Sequence, residues 1–202
     1  MEKFELTWIG PLPCDQGSGR SPKHAYKQAL RSHFHHHFVE WLKGNRLVFL
    51  PSSPEQFVPG EFKNGKIVCR KEDFAPVSMK HDLWQPCVVL GGQQYVPLLR
   101  WGQLLFCDLE IKILARPSES IRRDTDNRVK VLLDALRIPQ SEDEVADSSI
   151  HPPNPCYCLL EDDGGDLVGQ VCSVTRPLLS PPMPGKESEV EVHISGTVHR
   201  RG

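Results

Sequence analysis

The run Arg122-Arg123-Asp124-Thr125-Asp126-Asn127-Arg128-Val129-Lys130-Val131-Leu132-Leu133-Asp134-Ala135-Leu136 turns from basic loop to amphipathic helix within a few residues. Val129, Leu132, Leu133 and Leu136 recur at i, i+3, i+4 and i+7, which is one apolar helical stripe. Asp126, Lys130 and Asp134 follow one another at spacings of four and share a separate polar face. An aspartate at a helix start suits the free N–H groups and the positive end of the dipole. Asp124 and Asp126 stand close enough to repel unless a cation lies between them, and Mg²⁺ is commonly held by one or two carboxylates with waters and phosphates. Arginines beside such a pair suit a phosphate backbone. On these residues alone, a solvated first turn with ordinary ion pairs is the simpler account.

The flanks sharpen the reading. Upstream, Leu104 to Leu114 alternates, with Leu105, Cys107, Leu109, Ile111 and Ile113 on one side and Asp108, Glu110 and Lys112 on the other. This is the period of a half-buried strand. It runs through Ala115-Arg116-Pro117 into the arginine pair. Downstream, Pro139 stops the helix, and Leu160-Glu161-Asp162-Asp163 precedes a strand candidate from Leu167 to Val174.

The pattern Arg-Arg-Asp-x-Asp-Asn-x-x-Lys-x-x-x-Asp-Ala-Leu closely resembles the signature of the RusA-type crossover junction endodeoxyribonucleases. These are small, dimeric, Mg²⁺-dependent enzymes that cut four-way (Holliday) DNA junctions. The resemblance implies that Asp124, Asp126 and Asp163 are the metal-binding and catalytic carboxylates. It makes Lys130 the basic catalytic residue, with Asn127 and Asp134 in support. The link between helix and acidic pair is longer here than in compact family members, so Asp162 and Asp166 remain alternatives to Asp163. Arg122, Arg123 and Arg128 become candidate DNA contacts. The implied fold is α+β, a mixed sheet of about four main strands packed with two helices, in a single domain over residues 1–202. The implied partners are branched DNA and a second copy of the chain. A flap or branched-DNA endonuclease, and a catalytically inactive DNA-binding protein of the same fold, are the alternatives.

Outward from this centre, Phe4 to Ile9 alternates as a strand and Gly10-Pro11-Leu12-Pro13 breaks it. A helix is expected from about Pro22 to Lys43, with Tyr26, Leu30, Phe34, Phe38 and Leu42 at every fourth position. Its other face carries Lys23, Lys27 and Arg31, a candidate surface for a DNA backbone. His33, His35, His36 and His37 lie within this helical pattern. His33 and His37 have the i, i+4 spacing that can hold a metal, but no third ligand is evident, so surface or part-buried histidines are expected. Residues 46–100 are cut by prolines and read as an insertion atypical of the family, in which Cys87 to Leu99 suggests a hairpin with Pro97 on an edge arm. Residues 139–160 read as an acidic, proline-rich loop, and Val190 to Ile194 as a last strand.

The chain has 24 Lys and Arg against 26 Asp and Glu, a net charge of −2. Eight of those acids fall between residues 141 and 166, which hold no Lys or Arg, so the remaining 18 acids face all 24 bases. A mostly basic body suits phosphate binding. Seven cysteines without framework spacing fit reduced thiols in a cytoplasm. No apolar run has the length of a membrane helix.

Overall fold

A computed structural model describes residues 2–12, 22–44, 47–49, 57–63, 66–69, 88–99, 105–115, 125–146, 150–162, 164–178 and 189–200. The architecture is mixed α+β. Strand β1 (Glu2–Pro11) leads to helix α1 (Pro22–Gly44). Three short strands, β2 (Leu47–Phe49), β3 (Phe57–Lys63) and β4 (Lys66–Cys69), form a small antiparallel sheet. Strands β5 (Val88–Leu90) and β6 (Gln93–Leu99) follow, then β7 (Leu105–Ala115) and α2 (Thr125–Leu136). A short helix α3 (Asp143–Ala146) and strands β8 (Cys156–Leu160), β9 (Val168–Pro177) and β10 (Glu189–Arg200) complete the order.

The main sheet runs β1-β10-β7-β9. β10 runs antiparallel to both β1 and β7, and β9 lies parallel to β7. A parallel neighbour needs a crossover, and the chain makes it through α2. Alternation decides which side is core. Cys107, Leu109, Ile111 and Ile113 of β7, Val190, Val192 and Ile194 of β10, and Phe4 and Leu6 of β1 are all buried. They meet Leu30, Phe34 and Phe38 of α1 and Leu132, Ala135 and Leu136 of α2 in one cluster. Gly196 is required where it stands, because a Cβ there would overlap the Phe4 ring from β1.

The second sheet, β5-β6-β8, corrects two sequence expectations. Cys156 to Leu160, expected at the end of the acidic loop, is a strand with all five residues buried. A continuous apolar run is what a parallel strand covered on both faces needs: Tyr157 and Leu159 enter the main core, while Cys156 and Cys158 join Tyr95 and Ile138 in a smaller one. Pro97, expected on an edge arm, lies instead in the middle strand of this sheet. It is tolerated because β5 pairs only with Gln93 to Tyr95, so no ladder bond is asked of Pro97 on that side. Val96, Leu98 and Leu99 of β6 pack into the main core, so this end of the 46–100 stretch is built into the body of the fold. Among the described residues, no helix is long and apolar enough to cross a membrane.

Candidate metal and DNA site

Helix α2 begins at Thr125, so Asp126 occupies its first turn as the helical periodicity predicts. Asp126 and Lys130 are both exposed and stand one turn apart; Asn127 between them is half-buried. Arg122, Arg123, Asp124 and Asp163 lie outside the described residues, as does the side chain of Lys23.

The N-terminus of α2 is tied to a definite place in the main sheet. Thr125 Oγ1 lies 3.2 Å from Thr175 Oγ1, near the C-terminal end of β9. The acidic stretch after β8 sits elsewhere. The Ile138 amide, just past the end of α2, donates to the Leu160 carbonyl at 2.9 Å, and Arg137 bridges Leu160 as a parallel pair. The Glu161 amide is bound to Leu99 O, and Gln140 Nε2 donates to Glu161 O. Glu161 and Asp162 therefore stand at the C-terminal end of α2, and Gly164 to Leu167 turn into the start of β9. Twelve helical residues at about 1.5 Å each separate the two ends by roughly 18 Å. The seven steps from Val168 to Thr175, at about 3.3 Å each, give roughly 23 Å by an independent route. Within one copy, Asp162 and Asp166, the alternatives for the third carboxylate, do not reach Asp126.

Three residues expected at the DNA surface are buried instead. Lys27 is 6% exposed, Arg31 1% and Arg128 7%. The first two belong to a charge network that no helical period could reveal. Lys27 Nζ lies 2.6 Å from Asp134 Oδ2, and Arg31 Nη2 pairs with Glu144 Oε2 at 3.0 Å. Arg31 also donates to the carbonyls of Asp134 and Arg137, at 2.8 and 3.1 Å. Arg137 closes the network by donating to both Asp134 Oδ1 and Glu144 Oε1. Asp134, expected in support beside Lys130, thus joins α1 to α2 through this network. Glu144, hidden in an acidic segment, pins α3 to both.

Burial alone would raise both carboxyls. Lys27 and Arg137 around Asp134, and Arg31, Arg137 and Lys27 around Glu144, more than reverse this and hold both below the usual carboxylate range. Both stay ionised in the folded protein, which buried carboxylates do only when paired.

The histidines of α1 divide by face. His35 is buried, accepts the Tyr157 amide on Nδ1 at 3.0 Å, and stacks on the Tyr157 ring. Burial, with His36 beside it, lowers its pKa to about 4. His36 is exposed, and His33 and His37 face β1. Among the described residues, no three His, Cys, Asp or Glu side chains gather as metal ligands.

Neither a protein-family model, nor a curated protein, nor a solved structure matches this chain.

Proposed function

We propose that the chain is a Mg²⁺-dependent endodeoxyribonuclease that acts on four-way DNA junctions as a homodimer. The observation that carries the reading is local. Of the charged residues along α2, Arg128 and Asp134 are buried, whereas Asp126 and Lys130 stand exposed together, directly after Arg122-Arg123-Asp124. A carboxylate and an ammonium presented side by side behind arginines suit a phosphodiester with a metal on it.

The roughly 18 Å between the two ends of α2 sets what such a site requires. β9 is an edge strand with nearly every side chain exposed, including Val171 and Val174 at 37% each. An unpaired edge is a template for a second chain. Two β9 strands meeting antiparallel about Cys172 and Ser173 would set residue 168 of one copy against residue 177 of the other. The acidic turn before β9 of one copy would then stand at the α2 N-terminus of its neighbour, twice per dimer. A two-fold dimer repeats every contact, so the arrangement supplies two such sites, as paired cuts on a junction require.

In this reading Asp124 and Asp126, with Asp163 or a neighbouring carboxylate from the other copy, hold the metal. Mg²⁺ bound there would activate a water and offset charge on the scissile phosphate. Lys130 neutralises a phosphate oxygen, and Arg122 and Arg123 hold the backbone in position. The buried Lys27, Arg31 and Arg128 take no part.

Cleavage of a synthetic four-way junction, with linear duplex as control, tests the proposal with and without Mg²⁺. Paired nicks confined to the junction, lost without metal and lost in Asp126→Asn, support it. Tight junction binding with no cutting by the wild type would instead favour the inactive DNA-binding reading.

A further inference from the structure

The main sheet ends in two edges, β1 and β9, and the two differ. Two bonds fix how the backbone of β1 is turned. The Cys107 amide donates to Leu167 O at 2.9 Å, and the Leu178 amide donates to Ala115 O at 2.8 Å. The odd-numbered residues of β7 thus aim their polar groups at the β9 side, and its even-numbered residues face β10. Directly opposed residues of an antiparallel ladder exchange both bonds or neither. Asp108 opposes Thr197, so Thr197 faces β7; its neighbour Gly196 then faces β1 and bonds Phe4. Along β1, Phe4, Leu6 and Trp8 therefore bond β10, whereas Lys3, Glu5, Thr7 and Ile9 aim their amides and carbonyls away from the sheet.

Helix α1 closes that outward row. Trp41 Nε1 donates to the Lys3 carbonyl at 2.9 Å, and His33 Nε2 lies 2.7 Å from the Thr7 carbonyl. A carbonyl only accepts, so this ring nitrogen of His33 carries the hydrogen. Both rings are held by packing: Trp41 lies edge-on to Phe4 at 5.9 Å and His33 edge-on to Trp8 at 5.1 Å. The next outward position after Ile9 is Pro11, which has no N–H to give. Glu5 and Ile9 each stand between closed positions. An added strand needs an unbroken run of outward groups, and the two rings stand where its amides would lie.

We infer that α1 closes the β1 edge to strand addition and leaves β9 as the edge through which a second copy joins. The choice of β9 rests on the seam proposed above; the closure of β1 rests on the contacts of α1. The consequence is a limit on size. A chain with one open edge pairs once and stops at two copies, whereas a chain with both edges open pairs onward without end.

The test is sedimentation velocity on His33→Ala/Trp41→Phe, which loses both donors and keeps a ring against Phe4. At equal concentration it should form larger species than the wild type. Adding Glu5→Pro should return it to wild-type size, because the Glu5 amide points outward and proline there costs no bond within the sheet while blocking an incoming strand. His33→Ala alone, which spares Trp41, should show the same growth at higher concentration. With Val171→Lys/Val174→Lys added to the double variant, growth should halt at two copies joined through β1. Variants that keep wild-type size, or enlarged species that persist with Glu5→Pro, would overturn the closure. A monomeric wild type counts against the β9 seam and not against the closure, which then requires growth from one copy to two.

Discussion

Thr125 Oγ1 and Thr175 Oγ1 meet at 3.2 Å, and this one contact fastens the start of α2 to the far end of β9. The acidic turn that opens β9 is thereby kept at the other end of the same helix. In the proposed dimer, a site that used both would draw on two copies.

Mixing experiments follow from that geometry. Asp126→Asn alone should lower cleavage on the order of a hundredfold or more, since a catalytic metal is worth several kcal/mol and each 1.36 kcal/mol is tenfold. The double variant Asp162→Asn/Asp163→Asn should do the same. Mixed and allowed to exchange, the two should regain cutting, because each heterodimer carries one site with every carboxylate intact, about a quarter of the total. A mixture as inactive as its components would place all the carboxylates in a single copy and sink the shared-site arrangement.

The β9 edge is the expected seam. Val171→Lys/Val174→Lys adds charge to two exposed positions, so monomer stability should change by no more than about 0.5 kcal/mol. The dimer should nevertheless dissociate, measured by sedimentation, and junction cutting should fall with it. In this register Cys172, which is exposed, faces residue 173 of the other copy, so a Ser173→Cys variant should crosslink copy to copy under mild oxidation. Cys107, whose thiol burial raises to about 12, should stay unmodified in the folded protein.

The network around Asp134 and Glu144 predicts acid lability. Both carboxyls are lowered on folding, so their contribution is complete above the unfolded carboxylate range, near pH 4, and fades as pH falls through the folded values. Asp134→Asn leaves Lys27 and Arg137 buried beside a neutral partner and should cost about 3 kcal/mol at neutral pH. Urea unfolding across the acid range should show a shallower decline in the variant than in the wild type. Parallel curves would mean that the network contributes no pH dependence.

Gly196→Ala tests the packing of β10 under β1. The added methyl overlaps the Phe4 ring and should destabilise by about 1–3 kcal/mol. Phe4→Leu in the same chain should recover part of that loss, as a double-mutant cycle would show.

Much of the fold was legible because it rests on local period. The alternation of Leu105 to Ile113 and of Phe4 to Ile9, and the stripe of Val129 to Leu136, each correspond to the strand or helix expected. Where the reading failed, the deciding partner was distant. Lys27 and Arg31 have the spacing of a solvated basic face, and only Asp134 and Glu144, more than a hundred residues along, turn that face inward. Cys156 to Leu160 has no period of its own, because both faces are covered, and its strand exists through pairing with β6.

The sequence by itself determined where α2 starts and that Asp126 and Lys130 share one of its faces, since helical spacing is set by backbone geometry over a few residues. Tertiary structure alone decided which charged residues reach solvent. It also decided which end of β9 stands beside which end of α2, because strand order, crossover direction and burial depend on contacts between segments far apart in the chain.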